Sequence, residues 1–126
     1  MKVVQNAKVD DYVEMLQDVI SQNIELRLRL NGTTQSEFAR ALETTQSSIS
    51  QKLTRARNWT FRDIASAALF FNTTFEGLTS SNALEELRRE EEKKLSEEKA
   101  LEERYRQAQR ELAIQFREQK KRIREN

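Results

Sequence analysis

The sequence predicts an all-α chain, with a compact domain of five helices over residues 1–80 and one long charged helix over 81–126. Three observations carry this expectation. The 126 residues include two Gly and no Pro, so residues that break helices are scarce. Apolar residues recur at helical steps, and Thr repeatedly stands just ahead of such a run, where a helix needs an N-cap. Composition also changes near residue 80. The Trp, the Thr residues and all Phe but one lie before it, and Glu, Arg, Lys, Gln, Leu and Ala dominate after it. The expected boundary is Thr79-Ser80-Ser81-Asn82.

The first helix is expected from about Asp10 to Leu30, with Val13, Leu16, Ile20, Ile24 and Leu28 on one stripe. Asn31 and Gly32 end it, because both tolerate the left-handed conformation that follows a helix. Thr34 followed by Glu37 is a capping box opening a helix to about Leu42, with Phe38, Ala39 and Leu42 inward. Glu43-Thr44-Thr45 leaves room only for a turn. Thr45 then caps a helix from Gln46 to about Thr54, with Ile49 and Leu53 inward. A basic connector, Arg55 to Trp59, precedes a further capping signal, Thr60 with Asp63. The helix it opens carries Phe61, Ile64, Ala65, Ala68 and Leu69 as its expected inner face. Thr73 and Glu76 form the last box, ahead of a short helix burying Phe75 and Leu78.

From Asn82 onward every stretch is rich in helix formers. Leu84 and Leu87 begin a coiled-coil seam that resumes at Leu101, Tyr105, Ala108 and Leu112. Between them the same register falls on Glu91, Lys94 and Glu98, and past Leu112 the seam moves to Phe116 and Ile123. The expectation is a weak coiled coil with these apolar residues as the dimerisation face. A solvated helix held by pairs one turn apart is the alternative.

The chain has no Cys and no His, which removes disulfides, thiolate zinc sites, Cys nucleophiles and imidazole acid–base chemistry together. No enzyme activity, metal or cofactor is expected. No apolar run has the length of a membrane span or follows the pattern of a signal peptide, so a soluble intracellular protein is expected. The net charge of +1 is uninformative, but charge comes in blocks. Residues 34–62 hold Arg40, Lys52, Arg55, Arg57 and Arg62 against Glu37 and Glu43. Acids outnumber bases nine to five from Glu85 to Glu103, and bases outnumber acids five to two from Arg117 on.

The first basic block contains two short helices joined by a tight turn, a unit able to place its second helix in the DNA major groove. Such helices cross closely and need a small residue at the crossing, for which Ala39 is suited. The second helix must show base edges groups that donate and accept. Gln46, Ser47, Ser48, Ser50 and Gln51 do so, with Lys52 alongside, and the helix contains no acid to be repelled by phosphate. A polar face turned only to water is the plainer alternative.

With those residues in view, residues 20–79 resemble the phage repressor and Cro type (XRE-like) of helix-turn-helix domain. Residues 34–42 are similar to that family's second helix, residues 44–51 to the start of its recognition helix, and Phe61–Phe71 and Thr74–Thr79 to its fourth and fifth helices. The resemblance implies that Gln35 contacts a phosphate and braces Gln46, that Gln46 reads a base with adenine as its natural partner, and that Ser47 and Gln51 reach neighbouring bases. It places Arg55 and Arg57 near the sugar-phosphate backbone or minor groove. The sequence departs from the family at the turn, where Glu43 or Thr44 replaces a frequent Gly, and at Leu53-Thr54-Arg55, which replaces a frequent Glu-x-Gly.

The implied protein is a bacterial or phage-encoded transcriptional regulator of the cytoplasm and nucleoid. It would be a homodimeric repressor binding palindromic double-stranded DNA with half-sites about one helical turn apart. An antitoxin-like or adaptor protein, whose long helix takes a protein partner and whose DNA binding serves autoregulation, is the second expectation. A DNA binder with little sequence preference is the third.

Overall fold

A computed structural model describes residues 1–125. Those residues form six α-helices and no strand. The helices are α1 (Asn6–Asn31), α2 (Gln35–Ala41), α3 (Gln46–Leu53), α4 (Phe61–Phe70), α5 (Phe75–Thr79) and α6 (Ser81–Glu125). None is long and apolar enough to cross a membrane.

The caps explain why the short helices begin where they do. The Thr34, Thr45, Thr60 and Thr74 hydroxyls each accept a backbone N–H from three residues on, at 3.0–3.1 Å. Only Thr60 and Asp63 complete the reciprocal box, because the Asp63 carboxylate also accepts the Thr60 N–H at 2.8 Å. The last cap is Thr74, not Thr73 as expected. Asn72 takes a left-handed φ of 52° and carries the turn one residue further, so Glu76 does not stand at the box position. α1 starts four residues before its expected start, at an N-cap, Gln5, whose side chain makes no capping bond. That early start left no cap signal in the sequence.

The chain divides into two units, Met1–Glu91 and Glu92–Asn126. In the first, the C-terminal two-thirds of α1 is the central strut. Ile20, Ile24 and Leu28 pack with Phe38, Ala39, Ile49, Trp59, Ile64, Ala67, Ala68 and Leu78, one residue set drawn from every short helix. A second cluster joins Val19 and Leu26 of α1 to Leu84 of α6, with Leu30 and Leu87 against it. The boundary thus lies beyond the composition break at residue 80. Leu84 and Leu87, expected on a dimerisation seam, instead pack within the first unit.

Further expectations about the core need correction. Val13 is exposed and Leu16 only half-buried, so the first turns of α1 do not join the core. On α4 the buried stripe is Ile64, Ala67 and Ala68, continued by half-buried Phe71. Phe61, Ala65 and Leu69, spaced by four, form the adjacent stripe and face outward, with Phe61 75% and Leu69 84% exposed. Phe75, also expected inside, is exposed and stacks on Phe61 at 5.0 Å between ring centres. From Glu92 on, every described residue is helical and exposed. Ion pairs along this part are local, Arg106 with Glu102 at 4.0 Å and Arg110 with Glu103 at 3.6 Å.

Candidate nucleic-acid interface

α2 and α3 are joined by residues 42–45. Glu43 donates its N–H to the Arg40 carbonyl at 3.1 Å, and Thr44 donates to the Ala39 carbonyl at 2.9 Å. Both bonds need a left-handed residue between them, and Glu43 supplies it at φ 57°. Glycine adopts that conformation without the Cβ clash that costs other residues about 1 kcal/mol. Glu43→Gly is therefore expected to stabilise the first unit by about 1 kcal/mol, measured by urea denaturation followed through the fluorescence of Trp59, the chain's single Trp. No gain would mean the turn is not held in this geometry.

Ala39 is buried where α2 meets α3, and Phe38 beneath it is fully enclosed, edge-on to Phe70 at 5.2 Å and stacked on Phe71 at 5.4 Å. α3 is anchored by Ile49, which is buried, and by half-buried Leu53. With 100° between successive residues, Ser47, Ser50 and Gln51 point away from Ile49, and Gln46, nearer the Ile49 side, is exposed because it opens the helix. Ser47 and Gln51 are exposed as well, and Ser48 and Ser50 are half-buried at the margins of this outer face. The face holds no acid.

Lys52 does not lie on that face. It is buried at 6% exposure, and its ammonium pairs with Asp63 at 2.6 Å. α3 has only eight residues, and Lys52 falls on the same side as Ile49, so the long side chain must run inward to α4. Partial burial alone raises the Asp63 pKa. The Lys52 ammonium and hydrogen bonds from Thr60 outweigh it and hold the carboxyl below the usual carboxylate range.

Arg55 is also occupied. Its guanidinium donates to Asp18 at 2.7 Å and Glu14 at 2.9 Å on α1, with Gln17 and Asn58 each at 3.4 Å. It holds the connector 54–60 against α1 instead of reaching outward, and its own φ of 70° is left-handed. The basic block thus loses two of its five cations to internal pairing. Arg40, Arg57 and Arg62 remain exposed, with no ion pair among the described residues. Arg57 lies beside α3, its N–H bonded to the Gln51 carbonyl at 3.1 Å and its guanidinium 3.4 Å from the Ser48 hydroxyl.

No hydrogen bond joins Gln35 to Gln46 among the described residues, although Gln35 opens α2 as expected. The residues that hold α3 in place belong to α1 and were not singled out from the sequence. The Gln17 amide accepts the Trp59 N–H at 2.7 Å and donates to the Trp59 carbonyl at 2.9 Å. The Ser21 hydroxyl accepts the Trp59 indole N–H at 2.8 Å and donates to the Lys52 carbonyl at 2.9 Å. Asn23 donates to the Gly77 carbonyl at 2.8 Å and fixes α5 in the same way. Polar Ser21 and Asn23 among the apolar residues of α1 were the available signal, since buried polar groups need partners.

No family model, curated protein or solved structure matches the chain.

Proposed function

We propose that this protein is a sequence-specific DNA-binding transcriptional regulator, a dimeric repressor of the phage repressor and Cro type that reads a palindromic operator with α3. The observation that carries this reading is the exposed, acid-free row of Gln46, Ser47 and Gln51, with Ser50 at its edge, on a helix anchored from behind by Ile49. Amides and hydroxyls suit base edges, which offer both donors and acceptors. Arg57 beside the row supports a phosphate contact at its border. Gln35, at the start of α2, would take a second phosphate. Lys52 and Arg55 are left out of this contact set because their charges are already paired.

Selection of bound duplexes from a randomised pool tests the reading. One palindromic motif should emerge, and binding should weaken steeply as salt rises. Gln46→Ala should cost about 1–3 kcal/mol on the selected site and relax preference at a single base pair. A pool that yields no motif, or a Gln46→Ala variant with unchanged affinity and preference, would remove α3 as the reading element.

One observation favours a second reading, in which α6 takes a different protein. Every described residue from Glu92 on is exposed, and the seam positions Lys94 and Glu98 are charged. A tail that meets its own copy and one that meets another protein differ in solution, since only the first makes the purified chain a dimer.

A further inference from the structure

We propose that the second unit pairs with a second copy of itself in antiparallel orientation, centred on Leu112. This deepens the dimeric reading above and rests on it. Leu101, Tyr105, Leu112, Phe116 and Ile123 of α6 are all exposed, a row of large apolar side chains that nothing in the chain covers. The seam through them passes Ala108 and Gln119, and its steps are four, three and four from Leu101 to Leu112, then four, three and four again to Ile123. The pattern reads the same from either end, which is the symmetry an antiparallel pair of identical helices imposes.

The register that superposes the two halves brings each residue level with the one whose number completes a sum of 224, so that seam residues face each other, and it fits in size along the seam and in charge along the axis. Ala108 faces Phe116 of the second copy, small against large, and Leu101 faces Ile123. Tyr105 faces Gln119, a phenol beside an amide. A parallel pair would set Phe116 against Phe116 and Ala108 against Ala108, crowding one level and leaving a void at the other.

Charge favours the same direction. The last acids of the acidic stretch come level with the basic end, Glu103 with Lys121 and Glu102 with Arg122. Arg106 is level with Glu118 and Lys99 with Glu125, whereas the one like-charged level is Arg104 with Lys120. A parallel pair would align acidic stretch with acidic stretch and basic end with basic end.

The chain has no Cys, so single substitutions give clean reporters in the full-length protein. Leu101→Cys and Ile123→Cys variants, mixed, refolded together and treated with a short bismaleimide, are expected to give a covalent dimer several-fold above either variant alone. Glu102→Cys with Lys120→Cys, each one residue past a seam position and therefore on the same side of the pair within two residues of level, should behave in the same way without touching the seam. Leu112→Cys should cross-link alone. Efficient cross-linking of Leu101→Cys and Ile123→Cys each to itself would show a parallel pair and overturn the proposal. So would a full-length dimer in which none of these positions cross-links. Sedimentation of the unsubstituted chain as a monomer would overturn the dimeric reading itself, and the proposal with it. A dimer with the wrong cross-links would overturn the orientation only.

Discussion

Phe38→Ala is expected to destabilise the first unit by about 4 kcal/mol, a large share of the roughly 5–15 kcal/mol that holds a domain together. Phe38 is fully enclosed, and its ring touches both Phe70 and Phe71 at the end of α4. The same cluster holds Ile24 of α1 and Ile49 of α3. Truncation leaves a ring-sized void among residues from four helices, none of which can collapse into it without pulling α3 from its seat. A unit of about 90 residues has little stability in reserve. Trp59, buried in the same cluster, reports the transition by fluorescence. Circular dichroism would mix the helices of both units, which makes the fluorescence signal of Trp59 the decisive one. A midpoint lowered by less than the equivalent of about 1 kcal/mol would contradict a core organised around this ring. If the proposed function holds, any DNA affinity of the variant should track its folded fraction, because Phe38 presents no atom to solvent.

The all-helical architecture was legible because its signals are local. Thr34, Thr45 and Thr60 cap their helices as the sequence indicates, since a hydroxyl three residues before a waiting N–H depends on nothing distant, although Glu37 does not close the box expected with Thr34. Periodicity placed Ile20, Ile24, Leu28, Ile49 and Leu78 in the core. It could not say how wide each buried face would be. On α4 the pattern through Phe61 and Leu69 looked as apolar as the one through Ile64 and Ala68, and only packing against α1 and α5 chose between them. The seam on α6 shows the same limit. Leu84 and Leu87 have coiled-coil spacing, yet the groove beside Val19 and Leu26 takes them.

At the candidate interface, the outer row of α3 was legible because neutral Gln and Ser are unusual on a surface helix, and Gln46, Ser47 and Gln51 are indeed exposed. The fate of the cations was not. Nothing in the run from Lys52 to Arg57 distinguishes an inward lysine or a tethered arginine from a free one. The partners that claim them, Asp63, Glu14 and Asp18, lie 11 to 41 residues away and meet them only after the helices have packed. A local excess of +3 in the sequence is therefore weaker electrostatics on the surface, with Arg57 the cation best placed beside α3.

Asp63→Ala is the sharpest test of that reassignment and should cost about 3 kcal/mol. The substitution breaks the capping box with Thr60 and strands the Lys52 ammonium, which is too buried for water to solvate in place of the lost carboxylate. Lys52→Met, by contrast, should be nearly neutral, because it removes the buried charge and keeps the stem that packs beside Ile49, while Thr60 still satisfies Asp63. The pH dependence has a fixed sign. The Asp63 carboxyl is held low in the folded chain, so its contribution is full above the ordinary carboxylate pKa of about 4 and is lost as pH falls through the depressed folded value. Acid unfolding of the unsubstituted chain should accordingly steepen below about pH 4, and Asp63→Ala should flatten that limb. Under the proposed function, salt-dependent DNA binding would separate the internal cation from the external one. Lys52→Met should leave the slope of log affinity against log salt unchanged, whereas Arg57→Ala should lower it by about one counterion. If Lys52→Met flattened the slope as well, its ammonium would have to leave Asp63 to meet phosphate, and the pair that fixes α3 to α4 would be a switch in place of a brace.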